Sequence, residues 1–309
     1  MVLNIIIWRK LILMQTRILL TGGSGFIGKN VIEFFNDKKE YVVIAPSSFE
    51  LNCISEKEVC NYLRNNHIDI VLNFALYHTR IDKNKDESLI LQNNLHIYYN
   101  FAKHNNLYKK MIYLGSGAEY NKYYPIIDIK ETDLIDREIP TDNYGMMKYI
   151  INQDIEKSSN IYNLILFGLY GKYEDYKTRF ISSNICRALL NHDLSIRKNT
   201  YFSYLYISDF LNILLQMINK DLKFHSYNIV PTEKIDLLTL ANIIRKRINI
   251  NLDIVIKNNE LDNEYTGNND RILSELVDIN YTSFDIGIGE LIDYYKSIID
   301  KISIESIIE

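Results

Sequence analysis

Tyr144 and Lys148, in "NYGMMKY", stand four residues apart. On a helix that spacing puts both side chains on one face, one turn from each other. The pair has a definite chemistry. A phenol with an ordinary pKa of about 10 is a poor acid–base catalyst at neutral pH. An ammonium beside it stabilises the phenolate and lowers that pKa, so the phenol can exchange a proton with a carbonyl oxygen. Ser116 ends the apolar run "KMIYLGSG" and can hydrogen-bond the same oxygen from the end of a strand. The chain has 24 tyrosines, so a Tyr-x-x-x-Lys by itself says little. The information lies in the order: a glycine turn, then a serine at a strand end, then tyrosine and lysine at the start of a helix.

The glycine turn is "ILLTGGSGFIGKN", residues 18–30. Ile18, Leu19 and Leu20 read as a short buried strand, and Val31, Ile32, Phe34 and Phe35 continue at helical spacing. Between them, Gly22 permits a tight turn, Gly25 leaves room for a pyrophosphate, and Gly28 lets helix pack on strand. The backbone N–H groups of Gly25 and Phe26 would then face the pyrophosphate. Further apolar runs at about 41–45, 69–76, 110–117 and 162–171 alternate with helical patterns at 55–66 and 86–105. That alternation predicts a Rossmann-type, doubly wound parallel sheet with both faces covered. The expected division is a dinucleotide-binding domain over 16–165 and a smaller α/β, mainly substrate-binding part over 166–309, with some later segments returning to the first. Ligands of such sheets bind at the carboxyl ends of the strands. The glycine turn, "NFALYHTR" with Ala75, and "GSGAEY" all belong to that edge.

The bulk numbers narrow the function classes. A net charge of −4 and the lack of a polybasic run argue against nucleic acid as a partner. Cys53, Cys60 and Cys186 lack metal-ligand spacing, so no metal site is expected, and they fit a reducing, cytoplasmic location. Residues 1–15 read as an N-terminal extension that the fold does not require. Their apolar stretches are split by Arg9 and Lys10, too short to span a bilayer and without a small-residue cleavage site.

Across residues 16 to 300 the chain resembles the extended short-chain dehydrogenase/reductases, in the NAD-dependent epimerase/dehydratase branch that acts on nucleotide sugars. Gly22-Gly23-Ser24-Gly25-Phe26-Ile27-Gly28, "LGSGAEY", Tyr144-Gly145-Met146-Met147-Lys148 and "SYLYISDF" (203–210) match its motifs, and Asn94 matches a structural asparagine. The resemblance implies that Ser116, Tyr144 and Lys148 are catalytic and that Gly22, Gly25, Phe26, Ile27, Gly28 and Ala75 bind the cofactor together with Tyr144 and Lys148. It also implies a nucleotide-sugar substrate, and a homodimer is expected. Departures from the family pattern select among reactions. Dehydratases of the family carry an Asp-Glu pair after the catalytic hydroxyl, where this chain has Gly117 and Ala118, so dehydration is not expected. Members that epimerise beside a ketone use a cysteine two residues after the serine and a later histidine. Here Ala118 stands in the first place, and Lys177 and Arg179 stand near the second. What remains is reduction of a nucleotide-activated 4-keto sugar. The alternatives are a nucleotide-sugar 4-epimerase and a catalytically silent NADP-binding regulatory protein, although such silent relatives commonly lose the tyrosine or the lysine, and both are present here.

The cofactor expectation is NADP, with NAD as the alternative. After the second strand the sequence runs Ala45-Pro46-Ser47-Ser48, with no carboxylate until Glu50. Ser47 and Ser48, with Lys29 nearby, would accept a 2′-phosphate, whereas a carboxylate there would grip ribose hydroxyls. Ser116 is expected to touch the substrate. Arg179, Arg197 and Arg271 are the candidates for pairing with its diphosphate, since Phe202 stands where many relatives have an arginine.

Overall fold

The computed structural model describes residues 15–78 and 85–307. The expected N-terminal extension therefore lies, apart from residue 15, outside the described residues. The chain forms two compact units. One takes the chain up to Leu114, with Asp142–Leu164 and Phe224–Ser226. The other takes Gly115–Thr141, Ile165–Lys223 and the chain from Tyr227 onward.

The first unit follows the alternation read from the apolar runs: β1 (Thr16–Thr21), α1 (Phe26–Asn36), β2 (Tyr41–Ile44), α2 (Glu56–Asn66), β3 (Ile70–Asn73), α3 (Ile90–Ala102), β4 (Lys110–Ser116) and α4 (Asn143–Ile155). The strands join one six-stranded sheet in the order Ser226–Ile229, Ile161–Leu166, β4, β3, β1, β2. β1 pairs in parallel with both β2 and β3, and β3 pairs in parallel with β4. The chain thus moves outward from β1 in one direction and then in the other. The reversal opens a crevice at the carboxyl ends of β1 and β3. Leu19, Val71 and Met111 put their side chains on one face of the sheet, where they join Val59 of α2, Phe101 of α3 and Ile151 of α4 in a single apolar cluster.

Local chemistry sets where the helices begin. The Ser55 side chain accepts from the Glu58 N–H at the start of α2, and His67, in the left-handed region at φ 49°, ends that helix. The Asp142 side chain accepts from the Tyr144 and Gly145 amides and starts α4. In α3, Asn94 accepts from the Tyr77 N–H and donates to the Tyr77 and Ile90 carbonyls. It ties down the chain leaving β3, which is a structural role.

The second unit holds a four-stranded sheet, in which Ile126–Ile129 pairs in parallel with Tyr265–Gly267. Two parallel pairs stand beside it in sequence: Leu194–Lys198 with Ile254–Asn258, and Gly168–Tyr170 with Tyr204–Tyr206. The pairing of Ile126–Ile129 explains why Gly115–Thr141 goes with the later part of the chain. Asp209, in the "SYLYISDF" segment, accepts from both the backbone N–H and the hydroxyl of Thr282.

At the end of β1, Thr21 Oγ1 accepts from the Phe74 and Ala75 N–H groups at 3.0 Å each, joining β1 to the chain leaving β3. Thr21→Val keeps the volume and removes the side-chain acceptor of the half-buried Ala75 amide and one of the two acceptors of the Phe74 amide, which also donates to the Leu72 carbonyl. The expected loss is about 1–3 kcal/mol of unfolding free energy, read as a lower urea midpoint with an unchanged slope. A wild-type midpoint would show that these amides do not depend on Thr21.

Candidate active site

Three backbone segments meet at the carboxyl ends of β1 and β3. Gly22 has φ +75°, and a Cβ there would lie 2.8 Å from the Phe74 carbonyl oxygen. A Cβ at Gly28 would lie 2.2 Å from the Gly22 carbonyl oxygen, so α1 sits directly on the turn. By contrast, a Cβ at Gly25 would meet only one atom, at 3.4 Å. Gly25 is the N-cap of α1, and no side chain caps the helix. The first amides of a helix lack intrahelical acceptors and its N-terminus is positive, which suits a phosphate. The close approaches of Gly22 and Gly28 and the open, uncapped helix start therefore fit a dinucleotide pyrophosphate. Ala75 lies in the same corner, but its N–H is donated to Thr21.

After β2, the Ser47 N–H and hydroxyl both donate to Glu50 Oε2 at 2.8 Å. Those bonds, the backbone one first, hold the Glu50 carboxyl below its ordinary range. The carboxylate three residues on thus folds back onto one of the two hydroxyls expected at a 2′-phosphate. Ser48 is exposed beside it.

On α4 the helical period and the Asp142 cap place Tyr144 and Lys148 on one face. The Lys148 ammonium lies 5.6 Å from the centre of the Tyr144 ring. Lys148 is only 5% exposed. Its Nζ donates to Tyr113 Oη at 2.8 Å and to the Leu114 carbonyl at 2.5 Å, both on β4. The Tyr144 ring meets His78 edge to face, with ring centres 6.2 Å apart. Sequence reasoning missed Tyr113 and His78. His78 stands in the "NFALYHTR" segment already read as part of the strand edge. Tyr113 was legible only as a polar tip on the β4 face that includes Met111.

Ser116 is the last residue of β4, two positions beyond Leu114. It is 8% exposed, and its Oγ accepts from the Ala118 N–H at 3.3 Å. A Cβ at Gly117 would lie 2.6 Å from Tyr265 Oη and 2.7 Å from the Phe167 ring. Position 117 has no room for an acidic side chain without movement of those rings.

The three arginines differ. Arg271, its side chain 16% exposed, has Nε 3.6 Å from Glu131 Oε2. Arg197 is surface-exposed, 3.6 Å from Asp262. Arg179 is exposed at the N-cap of the helix Phe180–Leu189. It acts on Glu174, a buried carboxyl that accepts from the Ser182 hydroxyl. Burial pushes Glu174 up to about 8, against the Ser182 hydrogen bond and the Arg179 charge. Among the described residues no helix is long and apolar enough to cross a membrane, and no group of three His, Cys, Asp or Glu is placed to hold a metal.

Comparison with known proteins adds the following. The model of the NAD dependent epimerase/dehydratase family matches residues 18–230. GDP-L-colitose synthase of Yersinia pseudotuberculosis is 29% identical over 174 residues, which are 52% of this chain and 55% of that protein. The chain therefore matches about half the length of that relative. GDP-6-deoxy-D-talose 4-dehydrogenase of Aggregatibacter actinomycetemcomitans is 23% identical over 226 residues, 69% of this chain and 74% of that protein. A GDP-L-fucose synthetase of Naegleria fowleri, solved with NADP, superimposes with a TM-score of 0.78 at 15% identity, covering 92% of this chain and 95% of that one. At such identity the likeness shows the fold, a Rossmann-type α/β architecture.

Glu174 generates a pH prediction. Its folded-state pKa is raised from the ordinary 4.5 to about 8. The bound proton therefore contributes stability that is full below pH 4.5 and is lost as pH rises to about 8. The wild-type thermal midpoint should fall across that window more steeply than that of Glu174→Gln, whose neutral amide still accepts from Ser182. Parallel curves would show that Glu174 ionises in the folded protein at an ordinary carboxylate pH.

Proposed function

This chain belongs to the NAD dependent epimerase/dehydratase family, and on that premise we propose that it reduces a nucleotide-activated 4-keto sugar, with NADPH as the reductant. The observation that carries the reading is the Tyr144–Lys148 pair on α4, with a buried ammonium seated on β4 beside a phenol. When bound at the glycine turn, NADPH would supply the hydride that the carbonyl carbon accepts. Gly22, Gly25, Phe26, Ile27 and Gly28 would hold its pyrophosphate at the start of α1, with Ala75 beside them, and Ser47 and Ser48 would take the adenosine ribose. Tyr144 donates its phenolic proton to the carbonyl oxygen, so the ketone becomes an alcohol. Lys148 keeps the phenol acidic and binds the nicotinamide ribose, and the Ser116 hydroxyl donates a hydrogen bond to the same oxygen. Gly117 and Ala118 offer no acid–base group, which supports reduction over dehydration.

Both relatives are named for GDP-linked sugars, so a GDP-linked 4-keto-6-deoxy sugar is the first substrate to try. Arg179 is the best supported of the three arginines for the diphosphate, because Arg271 is turned to Glu131 and Arg197 lies near Asp262 at the surface. A homodimer working in the cytoplasm belongs to the same proposal, and the three free cysteines support a reducing compartment. One observation favours the second reading, 4-epimerisation with retained NAD. The Glu50 carboxylate on Ser47 is the kind of group that accepts from ribose hydroxyls.

The test is incubation of the purified protein with NADPH and a panel of nucleotide 4-keto sugars. Loss of reduced-nicotinamide absorbance, with formation of the alcohol, is the expected result. Interconversion of a plain nucleotide sugar without net cofactor change would establish the epimerase instead. Tyr144→Phe should lower kcat by about 10²–10⁴-fold while cofactor affinity stays close to wild type. Lys148→Ala should damage both. Full turnover by Tyr144→Phe would remove Tyr144 from the proton transfer.

A further inference from the structure

An ammonium held out of water needs partners that keep it charged and fixed in place, since an unpartnered buried charge costs several kcal/mol. At Lys148, two adjacent residues of β4 do this, Tyr113 through its hydroxyl and Leu114 through its carbonyl. Any residue at 114 offers that carbonyl. The hydroxyl exists only because position 113 is tyrosine.

The geometry around Tyr113 makes it an acceptor for the lysine. Tyr113 is 4% exposed. Its hydroxyl donates to Met147 Sδ at 3.4 Å, one residue before Lys148 on α4, which directs an oxygen lone pair toward the ammonium. Its ring meets Tyr98 of α3 edge to face, with centres 5.5 Å apart. Tyr98 is in turn held by a 2.7 Å hydrogen bond from its hydroxyl to Asp154 Oδ2, also on α4. The ring is therefore braced from α3, and its tip is committed to α4. The Lys148 nitrogen lies 4.4 Å from the Tyr113 ring centre and 5.6 Å from that of Tyr144. The cation sits between two phenols, one buried and fixed, the other beside His78.

We propose that Tyr113 is a positioning residue for Lys148: its hydroxyl fixes the ammonium and stabilises the charged form, and through the lysine it sets the acidity of Tyr144. The consequence for turnover rests on the reductase reading above, whereas the effect on Lys148 itself does not. Two effects follow from removing the hydroxyl. Lys148 loses a hydrogen bond made by its charged form, so its pKa falls. Tyr144 then has a less well placed cation beside it, so the phenol becomes a weaker acid. Among the described residues, the titratable groups packed beside this cluster include Tyr98 and Tyr99 from α3, Asp154 from α4 and His78 from the segment after β3, and the substitution leaves these unchanged.

The experiment uses the full chain and Tyr113→Phe, which keeps the ring, its bulk and its contact with Tyr98. The Lys148 titration is followed by NMR on lysine-labelled protein, with the resonance assigned through Lys148→Arg. The expected shift is about one pH unit downward. With a 4-keto sugar that the wild type reduces, kcat falls about tenfold and the basic limb of its pH profile moves to higher pH. A merely structural loss would lower activity without moving that limb. An unchanged Lys148 titration overturns the proposal, whatever happens to turnover. A shifted titration in a protein that reduces no 4-keto sugar supports the role of Tyr113 and defeats the reductase reading.

Discussion

The architecture of the first unit depends on two backbone contacts that leave no space for a side chain. At Gly28 a Cβ would stand 2.2 Å from the Gly22 carbonyl oxygen, and at Gly22 one would stand 2.8 Å from the Phe74 carbonyl oxygen. These contacts bring the start of α1, the end of β1 and the chain leaving β3 into one corner. Thr21 then closes the corner by accepting from Phe74 and Ala75. Without such approaches the first amides of α1 would not be presented at the edge where the strand order reverses. The helix start has no side-chain cap because its N-cap residue is Gly25, which leaves its first amides open, as the proposed phosphate site requires.

The acid–base chemistry proposed for Tyr144 and Lys148 has a different physical basis. It needs a phenol that is a better acid than tyrosine in water, and so it needs a positive charge held close by in a site with little water. Burial strengthens the influence of that charge on Tyr144 but also raises the cost of keeping Lys148 protonated. The β4 groups beneath Lys148 offset that cost. The Asp142 cap determines where α4 begins, and hence which turn presents the two side chains. Under that proposal, the start of α4 and the register of β4 together decide where the lysine charge sits.

In the second unit, buried carboxyl groups organise the loops. Glu131 accepts from the Asn228 N–H at 2.8 Å and faces Arg271, while Asn228 also accepts from the Tyr120 hydroxyl. Glu174 accepts from Ser182, and its own carbonyl accepts from the buried Tyr295 hydroxyl. Burial raises the pKa of both Glu131 and Glu174. Arg271, read from the sequence as a candidate for a diphosphate, thus faces the Glu131 carboxylate.

What the sequence alone determined was short in range. Continuous apolar runs predicted buried parallel strands, and glycine spacing predicted the turn, because steric permission belongs to each residue. The Tyr144–Lys148 face follows from the helical period, and the Ser55 cap from a hydroxyl at the right offset. The tertiary structure decided the contacts that require the chain to return. Gly115–Thr141 goes with the second unit because Ile126–Ile129 pairs with a strand far along the chain. Arg271 meets Glu131, Thr21 meets the amides of Phe74 and Ala75, and Tyr113 comes to lie under Lys148. No local spacing encodes these, since each depends on which sheet edge or helix face a distant segment finally covers. Even the short Ser47–Glu50 closure escaped the sequence, because a carboxylate three residues away turns back only when the loop after β2 bends to let it.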